Sequence, residues 1–294
     1  MEYGVVIKAA FRFARANPRL WPFGVLAGTG GGGFSFSYDG GGGGDDSSFH
    51  IDPTVLIAVV AVVLVAAIVA FLVSVLSQGA LAEAVPAVQR GEHRGFRRAL
   101  RAGRASFWRV LGLIFLVGAL VVAGLVAVLA VAGGAVALAF LATHSLPLRI
   151  LSVLVAVLLG LATVFLGFFP LLLIHQHALR GAVLSGRRPV AALRGGWATL
   201  RADPGPSILV FLIQQGLALA GYTAVGLATV LLSVPAIIVM IATGAGSAGV
   251  VIAGLTAVVV VPAAVCAAGA VGTFAHALWT TAYLRLTPTG ERPA

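Results

Sequence analysis

Five apolar runs of about thirty residues each, with a shorter one in front, take up nearly all of this chain. A helix of ~20 apolar residues crosses the hydrocarbon core of a bilayer, so each of the five is long enough to span. With 60% hydrophobic residues, 10% charged and a mean hydropathy of +1.07, the 294 residues fall far outside the range of an ordinary soluble domain. No stretch remains that would fold as a separate soluble catalytic domain. Cys266 is the one cysteine and sits inside an apolar run, so no disulfide framework or cysteine metal cluster is expected. Glu2 and the arginines at 12, 15 and 19 interrupt any short apolar core near the N-terminus, so a cleavable signal peptide is not expected either.

A ten-residue string recurs before the apolar runs. Ala10–Arg19 reads AFRFARANPR, Ala99–Trp108 reads ALRAGRASFW and Ala192–Arg201 reads ALRGGWATLR, with starts 89 and 93 residues apart. Three copies make a repeat rather than a coincidence. Around them, cations recur at helical spacing opposite apolar residues: Lys8, Arg12, Arg15 and Arg19 against Val6, Ala10 and Phe13. Arg94, Arg97, Arg98, Arg101 and Arg104 stand against Phe96, Leu100, Gly103 and Phe107, and Arg187, Arg194 and Arg201 against Val190, Leu193, Trp197 and Leu200. That pattern predicts three helices lying in the membrane interface.

The spans are expected at 20–36, 54–84, 110–143, 148–176, 207–242 and 250–284. The first is short and glycine-laden, and spans only with close packing or local thinning of the bilayer. An acidic glycine loop at 37–53 follows it, and the turns HSLP and GAGSAG close two hairpins. A second echo supports the repeat. The returning spans end in GAL at 79–81, HAL at 177–179 and HAL at 276–278, spaced 98 and 99 residues. The fold class read here is all-α: a single six-span membrane domain of three parallel two-helix repeats (approximately 1–88, 89–183 and 184–286), each preceded by an amphipathic interfacial helix.

Eighteen of the nineteen lysines and arginines fall on one side of this topology; only Arg149 falls on the other. The positive-inside rule makes that side cytoplasmic, with both termini inside. Arginine-heavy, alanine- and valine-rich usage is that of a GC-rich bacterial genome, so the expected location is the bacterial inner membrane.

Candidate chemistry is sparse. Gly28–Gly33 and Gly244–Gly249 match GxGxxG, but neither follows a strand in a soluble crossover unit, so no dinucleotide cofactor is expected. His175 and His177 are two residues apart, about 200° around a helix, whereas a helical metal pair needs spacing of three or four, and no metal is expected. Gln78, Glu83, Gln176, His177 and His276 lie near the ends of the returning spans, and Gln214 and Gln215 within an outgoing one. They either line a polar vestibule or hydrogen-bond helices together. Pro170, Pro235 and Pro262 are candidate kinks. Arg97, Arg101, Arg104, Arg194 and Arg201 are candidate contacts for anionic lipid headgroups, in addition to holding the loops inside. Phe96, Phe107, Trp108 and Trp197 fit interfacial anchoring better than base stacking, so nucleic acid is not an expected partner.

The AFR and ALR strings, the NPRLW at 17–21 and the QRGE at 89–92 resemble a group of bacterial six-span proteins. It includes uncharacterised membrane proteins and the membrane domain attached to some glycerophosphodiester phosphodiesterases. Nothing in this chain matches the phosphodiesterase catalytic domain, so its activity and metal ligands carry over to no residue here. The expected function is non-enzymatic: a membrane scaffold or partner protein whose basic side meets anionic lipid or a cytoplasmic protein. The alternative is a transporter or channel for a small molecule or lipid through the axis between the repeats.

Overall fold

The structure, a computed structural model, describes residues 2–29, 53–92, 95–142, 144–243 and 246–286, and every element among them is helical. The order is α1 (Tyr3–Ala16), a 3-10 turn (Pro18–Leu20), α2 (Trp21–Thr29), α3 (Pro53–Gln89), α4 (Phe96–Ala142) and α5 (Leu146–Thr163). A π-helical turn (Val164–Phe168) leads into α6 (Phe169–Leu184), followed by α7 (Pro189–Ala202), α8 (Pro204–Ala242) and α9 (Ser247–Leu286). Five helical stretches are long and apolar enough to cross a membrane: Thr54–Gln89, Phe96–Ala142, Leu146–Leu184, Pro204–Ala242 and Gly249–Leu286. Of the first expected span, the structure describes α2, nine residues long. The rest of that span, nearly all of the acidic loop, most of Gly28–Gly33, Gly244 and Ala245 of the last turn, and Arg94 lie outside the described residues.

The three copies of the repeated string enter their following helices differently, and prolines decide how. Asn17 (φ −124°, ψ 62°) and Asp203 (φ −134°, ψ 70°) each precede a proline, whose ring drives the residue before it out of the helical region. Both sites break the helix. The second copy has no proline there, so the expected boundary near residue 110 is absent and the basic segment continues straight into the span as the 47-residue α4. At ~70 Å that helix is about twice the thickness of a bilayer core. Other prolines lie within or at the start of helices that continue past them. Pro170 lacks the N–H that would satisfy a carbonyl one turn back, and the chain adjusts by the π-helical turn just before it. Helices α8 and α9 continue through Pro235 and Pro262, and α3 continues through Pro86 to Gln89, past the expected end at 84.

Helices α3 and α6 stop in the same way. Gly91 (φ +82°) follows α3 and Gly186 (φ +63°) follows α6, both in the left-handed conformation that ends helices. The turn after α3 is closed by Arg90 N–H to Pro86 O at 3.1 Å and Glu92 N–H to Ala87 O at 3.0 Å. At the opposite end of α4, Arg149 donates to Phe140 O at 3.1 Å and lies over the Phe140 ring at 4.9 Å. This outlying cation therefore satisfies a terminal carbonyl of α4.

The backbone divides into two compact units, Glu2–Ala105 with Gln214–Thr281, and Ser106–Ile213 with the described part of Ala282–Ala294. In the first, α2 packs along α3, Phe23 stacks on Phe96 at 4.7 Å, and Gly24 abuts Gly269 and Gly272 of α9. Glycine on glycine lets α2 and α9 approach closely. Gly103 of α4 lies so near α3 that a Cβ would stand 2.5 Å from Leu76 O and 3.2 Å from the Ala80 methyl. In the second unit, α6 packs along α7, and a Cβ on Gly196 would stand 2.6 Å from Ile174 O and 3.3 Å from the Ala178 methyl. The receiving residues are 98 positions apart in both cases, the spacing of the GAL and HAL strings.

Gly103→Ala and Gly196→Ala should each lower the thermal unfolding temperature in detergent, since overpacking costs ~1–3 kcal/mol. Gly118→Ala, whose added methyl meets nothing within 4 Å, should not. Equal behaviour of all three would show that backbone approach does not seat these helices.

Candidate functional site

Burial repeats with the sequence. The first residue of each copy is inaccessible: Ala10, Ala99 and Ala192 are exposed by 0, 1 and 1%. Two residues on, Arg12, Arg101 and Arg194 are exposed; four residues on, Ala14, Gly103 and Gly196 are buried. Steps of four residues keep the small side chains on one helix face, and a step of two turns the arginine to the other. All five expected lipid-contact arginines, Arg97, Arg101, Arg104, Arg194 and Arg201, are exposed. Arg109 is different: it donates to Ala182 O at 3.3 Å, near the end of α6, and so serves helix packing.

Among the candidate vestibule residues, Gln78, Gln176, His177 and Gln214 hydrogen-bond within their own units. In the Glu2–Ala105 and Gln214–Thr281 unit, Gln78 is buried and donates to Ser74 Oγ at 3.4 Å, one turn back on α3. Gln214 accepts from Trp279 Nε1, linking α8 to α9, while its neighbour Gln215 is exposed. Glu83 and His276 are half-buried. In the other unit, Gln176 accepts from Arg180 through both its side-chain and main-chain oxygens. His177 Nε2 lies 3.0 Å from Ser207 Oγ, and Ser207 Oγ donates to Asp203 O at 3.0 Å. The Ser207 hydroxyl is thus within hydrogen-bond distance of both the His177 ring on α6 and a main-chain carbonyl at the start of α8.

These contacts outline a polar cluster at the end of α6. His177 and Arg180 are both 1% exposed, Ser207 is inaccessible, and the Tyr283 ring centroid lies 6.2 Å from that of His177. Tyr283 also covers Gly181, where a Cβ would stand 3.6 Å from its hydroxyl. The expected role of His177 as a vestibule or bridging residue thus acquires a named partner across helices, on α8. Arg180 was not singled out by sequence, where it reads as the first cation of a basic segment. The signal lay in the second echo: Arg180 aligns with Ala82 and Trp279, both buried, so the position faces inward in each copy. Among the described residues no group of three or more His, Cys, Asp or Glu side chains is placed to hold a metal. Cys266 is exposed.

Ser207→Ala should destabilise the protein by ~1–3 kcal/mol, because it removes the hydroxyl that hydrogen-bonds the buried His177 ring. His177→Leu combined with Ser207→Ala should cost less than the sum of the two single changes, read from unfolding temperatures in detergent. Strict additivity would show that the pair is not coupled.

No protein-family model, curated protein or solved structure matches this chain.

Proposed function

We propose that this chain is a non-enzymatic membrane scaffold, whose basic side docks on anionic lipid headgroups at the cytoplasmic face of a bacterial inner membrane. In this reading residues 20–36 supply a sixth span, and the chain forms three parallel two-helix repeats, each led by an interfacial helix, with both termini cytoplasmic. The resemblance of the repeated strings to the membrane domain of some glycerophosphodiester phosphodiesterases supports the six-span topology and carries no activity.

One observation carries the proposal. On the first three turns of α4, Arg97, Arg98, Arg101 and Arg104 are exposed while Ala99, Ala102, Gly103 and Ser106 are buried. The buried face is seated on the α3 backbone at Gly103, so the cationic face is held at a set angle rather than on a flexible loop. The apolar spans argue for the bilayer itself. From Thr54 to Leu72 every residue of α3 is exposed, with Val, Leu and Ile on all sides of the helix. Contiguous apolar surface on that scale marks contact with lipid or protein.

Each arginine near an anionic surface contributes on the order of 1 kcal/mol. Replacing Arg97, Arg101 and Arg104 with glutamine should lower the ratio of phosphatidylglycerol to phosphatidylethanolamine co-purifying with the protein by at least about threefold. An unchanged ratio in a correctly inserted protein would reject lipid docking by this face.

A further inference from the structure

A groove of about 840 Å³ lies within the Glu2–Ala105 and Gln214–Thr281 unit, walled by α1 on one side and by α8 and α9 on the other. Helix α1 presents two adjacent stripes to it, each at steps of four and three. Ile7, Phe11 and Ala14 form the wall, and Lys8, Arg12 and Arg15, one position on, form the rim. Leu217, Val271 and Phe274 complete the apolar side. Trp21 closes one end, its indole held by a hydrogen bond from Nε1 to Ala14 O at 2.8 Å. Phe11 is 59% exposed, so the groove is open to its surroundings.

We propose that this groove is a discrete site for one anionic glycerophospholipid, the acyl chain lying along Phe11, Val271 and Phe274 and the phosphodiester meeting Lys8, Arg12 and Arg15. The volume is that of small-molecule sites, ~300–1,000 Å³. The walls are hydrocarbon, so the occupant has an apolar portion. The three charged residues of the lining are all cations, so its polar portion is anionic. Leu217, Val271 and Phe274 belong to stretches long and apolar enough to span, while α1 lies outside them; the groove therefore joins bilayer depth to a charged helix. A phospholipid has its apolar and anionic parts in that arrangement. Guanidinium groups add bidentate hydrogen bonding to phosphate oxygens. The inference shares with the proposed function the placement of the chain in a membrane, but it concerns α1 rather than α4, and a single bound lipid rather than a surface.

Native mass spectrometry of the 294-residue chain in detergent, incubated in parallel with dioleoyl phosphatidylglycerol and dioleoyl phosphatidylethanolamine, tests it. One phosphatidylglycerol should remain bound at detergent concentrations that strip phosphatidylethanolamine. K8Q/R12Q/R15Q should lower that retention at least about tenfold, whereas K8R/R12K/R15K, which keeps the charge, should retain the lipid. A270W and V271F, which fill the groove and leave the rim intact, should also lower retention. Glycerol 3-phosphate should not compete, since it lacks the acyl chain. Equal retention of the two lipids, or retention unchanged in the glutamine variant or in both groove-filling variants, would overturn the site. Equal loss in the charge-preserving variant, or competition by glycerol 3-phosphate, would overturn it as well. Failure of R97Q/R101Q/R104Q to alter bulk co-purified lipid leaves these readouts intact, so the two proposals fail separately.

Discussion

Backbone approach at small residues is the interaction on which the rest depends. Inside a bilayer, apolar side chains gain little by leaving lipid for one another, so helices are held by close packing and by hydrogen bonds between them. Gly103 on Leu76 and Ala80, and Gly196 on Ile174 and Ala178, bring a basic helix against α3 and α6 respectively with only backbone and an alanine methyl at the contact. The same contact made twice, at the same spacing, fixes which face of each basic helix turns inward. Arg101 and Arg194 are exposed because Gly103 and Gly196 are not.

Polar contacts do the second part of the work. The His177 to Ser207 to Asp203 chain joins α6 to the start of α8, and the Trp279 to Gln214 bond joins α9 to α8. Hydrogen bonds are directional, so these links specify register where interchangeable apolar contacts do not. Arg180, buried beside Gln176, is the costliest group in this region to desolvate and the one most dependent on its neighbours.

Much of this was legible from residue spacing. The apolar runs set the helical class, but the stripes read from spacing are buried only in part: Val6, Ala10, Phe13, Gly103 and Leu200 are buried, while Phe96, Val190 and Trp197 are exposed because the small residues Ala99 and Ala192 seat these helices instead. Three features were not legible, for different reasons. Hydropathy changes near residue 110 but helix propensity does not, so α4 continues through a compositional boundary. Counting charge assigns a side of the membrane but not a face of a helix, so it does not separate the buried Arg180 from the exposed arginines. The groove beside α1 needs residues near both ends of the chain, Ile7 and Phe274, and no local pattern records that meeting.

The proposed topology requires the three repeated basic helices to lie on one side of the membrane and the acidic loop on the other. Single cysteines at positions 12, 101, 194 and 45, placed by R12C, R101C, R194C and D45C after Cys266→Ala, report this directly through a membrane-impermeant maleimide. In inverted inner-membrane vesicles the first three should label and the fourth should not; in intact spheroplasts the pattern should reverse. Labelling of any one of positions 12, 101 and 194 from the side opposite the other two would contradict the parallel arrangement of the repeats.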